Sequence, residues 1–140
     1  MAPEPLEGID QPDDRGALAA HRAFYAAFEA RDLDAMSDLW RHDAAVTCVH
    51  PGWPALHGWA SVAASWASLF GGSERLQFIL TDERLHRVGD VCWATVDENI
   101  IQGAHGATVN ALNVFEWSDG RWWMVAHHGS PVAARGGEGQ

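Results

Sequence analysis

Between Asp13 and Phe70 the apolar residues recur three or four positions apart. From about residue 75 onward they alternate every second position. In the first half, Asp13 or Asp14 caps a helix that runs to about Arg31. Its stripe is Ala20, Phe24, Ala27 and Phe28, with Leu18, His21 and Tyr25 on the shoulder. Asp32 caps a short second helix presenting Leu33, Met36 and Trp40. Residues 44–50, AAVTCVH, read as a short strand. Trp59, Val62, Trp66 and Leu69/Phe70 space a third helix that Gly71-Gly72 ends. Strands follow at about 75–88, 91–103, 106–117 and 121–129, with turns at Gly89-Asp90, Gly103–His105 and Ser118–Arg121. Helices first and then a meander of long antiparallel strands is an α+β order. Curling such a sheet over the helices buries the aromatic rings and leaves a cavity at the wide end.

Composition narrows the picture. The chain has 140 residues, the size of one domain, and 8 tryptophans, many for that length. Its net charge is -10 and every basic residue is arginine, a poor match to nucleic acid or to an anionic membrane. Cys48 and Cys92 sit singly on strand-like runs and read as buried thiols. The acid-bearing N-terminus has no apolar stretch of signal-peptide length, and no apolar run approaches a membrane span, so a cytoplasmic protein is expected. Residues 1–12 and 133–140 read as flexible tails around a single domain at 13–132.

One connection concentrates unusual chemistry: VHPGWPALHG, residues 49–58, between the first strand and the third helix. Pro51 and Pro54 fix its path, Trp53 becomes a rim or lid, and His50 stands at the strand end. The chain carries no HExxH, no Cys/His cluster of ligand spacing, no phosphate loop and no nucleophile elbow, so neither metal nor cofactor is expected.

Three segments carry a resemblance to a known family. FYAAFEARDLDAMSDLW, VHPGWPALHGWASVAASW and NVFEWSDGRWWMVAHHGSPV, in this order, resemble the SnoaL-like branch of the ketosteroid-isomerase and nuclear-transport-factor superfamily. The resemblance covers residues 17–132. It implies a cone of curved antiparallel sheet wrapped around a long helix, a cystatin-like α+β barrel with a pocket at its mouth, usually in a homodimer. It also implies that Asn113 and Phe115 face inward, and that the first tryptophan of the last strand packs toward the helices. On that basis His128 faces the pocket and His127 an interface. Ketosteroid isomerases use a tyrosine of the first helix as an oxyanion donor, which makes Tyr25, the sole tyrosine, the matching candidate. Their general-base carboxylate near the end of the first strand has no counterpart here, where His50 stands instead.

Strand parity supplies the remaining candidates. Thr95, Asp97 and Asn99 share one face of their strand and form a plausible polar lining, which leaves Glu98 to the outer face. Asp97 in an apolar cavity would serve as acid or base near neutrality, sharing a proton with an imidazole. The expected catalytic set is therefore His50, Asp97, His128 and Tyr25. The expected binding set is Trp53, Trp66, Trp93, Asn99, Asn113 and Phe115. The expectation is a pocket for a small hydrophobic ligand, serving a cofactor-independent cyclase- or isomerase-type enzyme or a non-catalytic binding or assembly domain. The last strand is apolar on both faces, from which a homodimer is expected.

Overall fold

The computed structural model describes residues 8–73 and 75–133. Three helices, α1 (Asp14–Ala30), α2 (Leu33–Leu39) and α3 (Trp59–Phe70), accompany six strands: β1 (Thr47–Val49), β2 (Leu56–His57), β3 (Gln77–Val88), β4 (Val91–Gln102), β5 (His105–Ser118) and β6 (Arg121–Pro131). The strands form one curved sheet in the order β2-β1-β6-β5-β4-β3, an α+β fold. All pairings are antiparallel except β1 with β6, so the sheet is mixed, where the strand meander predicted only antiparallel neighbours.

Local chemistry sets the helix ends. The Asp13 carboxylate accepts from the Arg15 amide at the start of α1. Arg31, left-handed at φ 53°, closes its end. The Asp32 carboxylate then accepts from the Ala35 amide and opens α2 one residue later. This back-to-back stop and start turns the chain, and Phe24, Met36, Leu39, Trp40, Trp66, Phe115, Trp122 and Met124 close into one fully buried core. Small inward residues on β4 and β5, among them Cys92, Ala94, Val96 and Ala111, line that core.

Two bulges bend the long strands. One interrupts β3 between Thr81 and Arg84, with Asp82 at φ 51°. The other inserts Val125 into β6, where Val114 pairs with Ala126 but Phe115 pairs with Met124. The short strands β1 and β2 follow from the Pro-Gly corner: the Trp53 amide donates to the His50 carbonyl and Gly52 sits at φ 82°.

The N-terminal tail expected over residues 1–12 is corrected for residues 8–12. Ile9 is buried, its carbonyl accepts from the Trp122 amide, and the Gln11 carbonyl accepts from Trp122 Nε1. One backbone and one indole hydrogen bond from Trp122, together with the burial of Ile9, hold this strap. Residues 1–7 and 134–140 lie outside the described residues.

Candidate active site

A cavity of about 380 Å³ opens between the end of α1, the Pro-Gly corner, α3 and the inner face of the sheet. Phe28, Trp53, Leu69, Phe70, Leu76 and Ile100 give it apolar walls; His50, Glu98 and His127 supply polar groups, with Arg31 and Gln102 also on its lining. Glu98 is 2 % exposed. Burial pushes its carboxyl up to about 7, and a hydrogen bond from Tyr25 partly opposes that rise.

A four-residue chain holds this carboxyl. The Tyr25 hydroxyl, from the buried side of α1, donates to Glu98 Oε2 at 2.5 Å. Asn113 Nδ2 donates to the Tyr25 oxygen at 3.1 Å. His127 Nδ1 lies 2.6 Å from Asn113 Oδ1. An amide oxygen only accepts, so Nδ1 carries the imidazole proton and Nε2 the lone pair. Burial first, and then the charges of His50, His128 and His21, pushes His127 down to about 3, so the ring is neutral. Burial, followed by the neighbouring carboxylate, pushes the Tyr25 phenol upward. Because the one Tyr25 proton is committed to Oε2, a proton on Glu98 belongs on Oε1. That oxygen has no hydrogen-bond partner among the described residues and is not sealed off from the cavity.

His50 closes the other side. Its Nε2 lies 2.9 Å from Ser65 Oγ, whose own proton goes to the Val62 carbonyl at 2.6 Å. Nε2 is therefore the donor. Burial pushes His50 down to about 4. Trp53 and Trp66 meet its ring edge-to-face. The thiol of Cys48, 3.6 Å from His50 Nε2, is pushed up to about 12 by burial, so it stays protonated and is no nucleophile. Among the described residues no three His, Cys, Asp or Glu side chains converge at metal-binding spacing.

Comparison with known proteins places the chain in a family. The SnoaL-like domain matches residues 17–134. The chain belongs to the SnoaL-like family. A Streptomyces avermitilis structure, provisionally named a dehydratase of the NTF2-like family, is 38% identical with a TM-score of 0.78, over 84% of this chain and 94% of that one. A Thiobacillus denitrificans structure, provisionally named a calcium/calmodulin-dependent protein kinase type II association domain, is 41% identical with a TM-score of 0.74, over 83% and 94%. The F-box protein SKIP8 of Arabidopsis thaliana is 29% identical over 116 residues; they make up 83% of this chain and 49% of that protein, so the chain spans about half the length of this relative.

In this SnoaL-like chain, the expected residues divide between the two faces of the sheet. His50 and Trp53 line the cavity, whereas Tyr25 and Asn113 stand behind its lining, bonded to Glu98 and His127, and Trp66 packs behind His50 and His127. Phe115 faces inward but lies deeper, edge-on to His21 in the core. Asp97, Asn99, Trp93 and His128 are corrected: all four lie on the outer face. Asp97 accepts from Asn110, Asn99 bridges Ile79, Thr81 and Thr108, and Trp93 stacks on His86. His128 is exposed while His127 is 2 % exposed, because the Val125 bulge shifts the alternation by one. Glu98 and His127, expected on the outer face or at an interface, thus line the cavity instead.

Proposed function

We propose that this chain is a cofactor-independent acid–base enzyme acting on a small hydrophobic carbonyl compound. Its chemistry is of the isomerase, cyclase or dehydratase kind, reactions that turn on moving a proton at a carbon near a carbonyl. The observation that carries this reading is Glu98: a buried carboxyl, poised near neutrality, with its free oxygen open to an apolar cavity. A base with a value near the working pH is half available as carboxylate and half as acid. Tyr25 and Asn113 position it, and the apolar walls exclude water that would lower its basicity. The name of the Streptomyces relative, 38% identical, supports the same class.

The test is deuterium exchange. A panel of bicyclic and aryl hydroxy ketones is incubated with the protein in D₂O and followed by proton NMR. Site-specific exchange or turnover is expected, falling about 100-fold or more in Glu98→Gln. A substrate turned over equally well by Glu98→Gln would overturn the role of the carboxyl.

A second reading rests on a different surface. The outer sheet face carries Leu112, 40% exposed, among half-buried Trp93, Val114 and Trp123. The relative provisionally named an association domain is 41% identical. We infer that a second copy covers this face in a homodimer, an arrangement that leaves the cavity on the opposite side of the sheet open to ligand.

A further inference from the structure

We propose that His127 determines which ligands the cavity accepts: its Nε2 takes a hydrogen bond from a hydroxyl group carried by an otherwise hydrophobic molecule. The argument is one of hydrogen-bond direction. Tyr25 has one proton, and Glu98 Oε2 at 2.5 Å claims it. The Tyr25 oxygen must then be approached by a donor, which makes the Asn113 atom at 3.1 Å its amide nitrogen. The Asn113 oxygen is left for His127 Nδ1 at 2.6 Å, and only a protonated Nδ1 fits there. Reversing the amide would set two oxygens against each other at the tyrosine. The carboxyl on β4 thus fixes the tautomer of an imidazole on β6 through two intermediaries.

The consequence falls on the far nitrogen. Nε2 has no hydrogen-bond partner among the described residues, it is not sealed in the protein, and the ring lines the cavity. It is a bare acceptor in an apolar space, where an unpaired polar atom is costly. The ring is held neutral, so it does not become a donor near neutral pH. A carbonyl or ether oxygen meets lone pair against lone pair there, whereas a hydroxyl is satisfied. The titratable groups that act on His127 are His50 from the β1 corner, His21 from α1 and the Asn113–Tyr25–Glu98 chain, together with His128, the next residue on its strand, which points to the opposite face. This inference rests on the cavity being a ligand site, as proposed above, but not on Glu98 moving a proton.

Two probes of nearly equal shape test it: 2-naphthol, which donates, and 2-methoxynaphthalene, which does not. Binding to the full chain is measured by NMR titration, and the ring nitrogens of His127 are observed in long-range proton–nitrogen spectra. A preference for 2-naphthol of about 10-fold is expected, since it alone pairs an otherwise unpaired buried acceptor. The Nε2 resonance should be that of an unprotonated nitrogen in the free protein and should move on adding 2-naphthol alone. The preference should hold from pH 6 to pH 8; one that Glu98 caused would fade below about 7. In His127→Phe the two probes should bind alike, and the nitrogen spectra of the unmodified chain give the answer even if that variant does not fold. Equal binding of both probes, or a protonated Nε2, would overturn the role of His127 and leave the cavity reading standing. If neither probe bound at millimolar concentration, the cavity reading itself would fall, and this inference with it.

Discussion

A carboxyl group buried in an apolar space either gives up its charge or gathers donors. Glu98 does some of each: burial raises it to about 7, and the Tyr25 hydroxyl holds it from rising further. Removing that hydroxyl should separate the two effects. In Tyr25→Phe the Glu98 midpoint should move upward, and the protein should lose about 1–3 kcal/mol because Asn113 Nδ2 is left without its acceptor. A midpoint that stayed put or fell would show that Tyr25 does not hold the charge. The same residue marks stability. Its folded value exceeds that of an ordinary carboxyl, 4.5, so the folded state binds more protons between about 4.5 and 7. Stability from Glu98 is therefore fully present below about 4.5 and is lost as pH rises through about 7. Subtracting the melting temperatures of Glu98→Gln from those of the unmodified protein should give a difference curve that falls across that window and is flat above it.

At the scale of elements, single residues decide which side chains enter the site. The three helices, their caps and the four long strands are legible because their periods and end signals are local: Asp13, Asp32 and Gly71 stand where the helix boundaries are. Strand faces are not local. A three-residue turn at Gly103–His105 would place Thr95 across from Asn113 and bring Thr95, Asp97 and Asn99 inward with it. The actual turn is two residues, with Gln102 opposite His105, so Ala94 faces Asn113 and Glu98 faces Val109. A one-residue slip inverts every side chain of β4. The inward run Cys92, Ala94 and Val96 was the available signal, since the opposite face carries bulkier and more polar groups. No comparable pattern announces the Val125 bulge, because β6 is apolar on both faces. Gly16 shows the same sensitivity at a helix start. A Cβ there would fall 1.7 Å from the Gln11 carbonyl oxygen. Gly16→Ala should displace the 8–12 strap from Trp122 and cost roughly 1–3 kcal/mol in urea unfolding. An unchanged midpoint would show that the strap adds nothing to the fold.

For the whole molecule, three buried histidines set the acid limit. His50 and His127 are pushed below the ordinary value of 6.5, to about 4 and 3, by burial above all, and burial pushes His21 downward as well, opposed by the Glu83 carboxylate 2.9 Å from its Nε2. The unfolded chain binds more protons than the folded one below 6.5, so their contribution is present above that pH and is lost as pH falls toward 3–4. Thermal scans should show the melting temperature falling between pH 6 and pH 4, opposite in sign to the Glu98 contribution in the same window. A protein as stable at pH 4 as at pH 7 would mean these rings are not held neutral. The outer sheet face belongs to this scale too. Sedimentation at micromolar concentration should give a dimer, and Leu112→Arg should give a monomer whose cavity still binds 2-naphthol; a monomeric unmodified chain would contradict the proposed second copy.

The claim on which the rest depends is that Glu98, not Asp97, is the titrating carboxyl of the cavity. Carbon-13 NMR of the glutamate side-chain carboxyls, with Glu98 assigned by its absence in Glu98→Gln, measures this directly. A midpoint near 7 is predicted, moving when a hydrophobic hydroxy compound fills the cavity. A midpoint near 4.5, unmoved by ligand, would contradict the account.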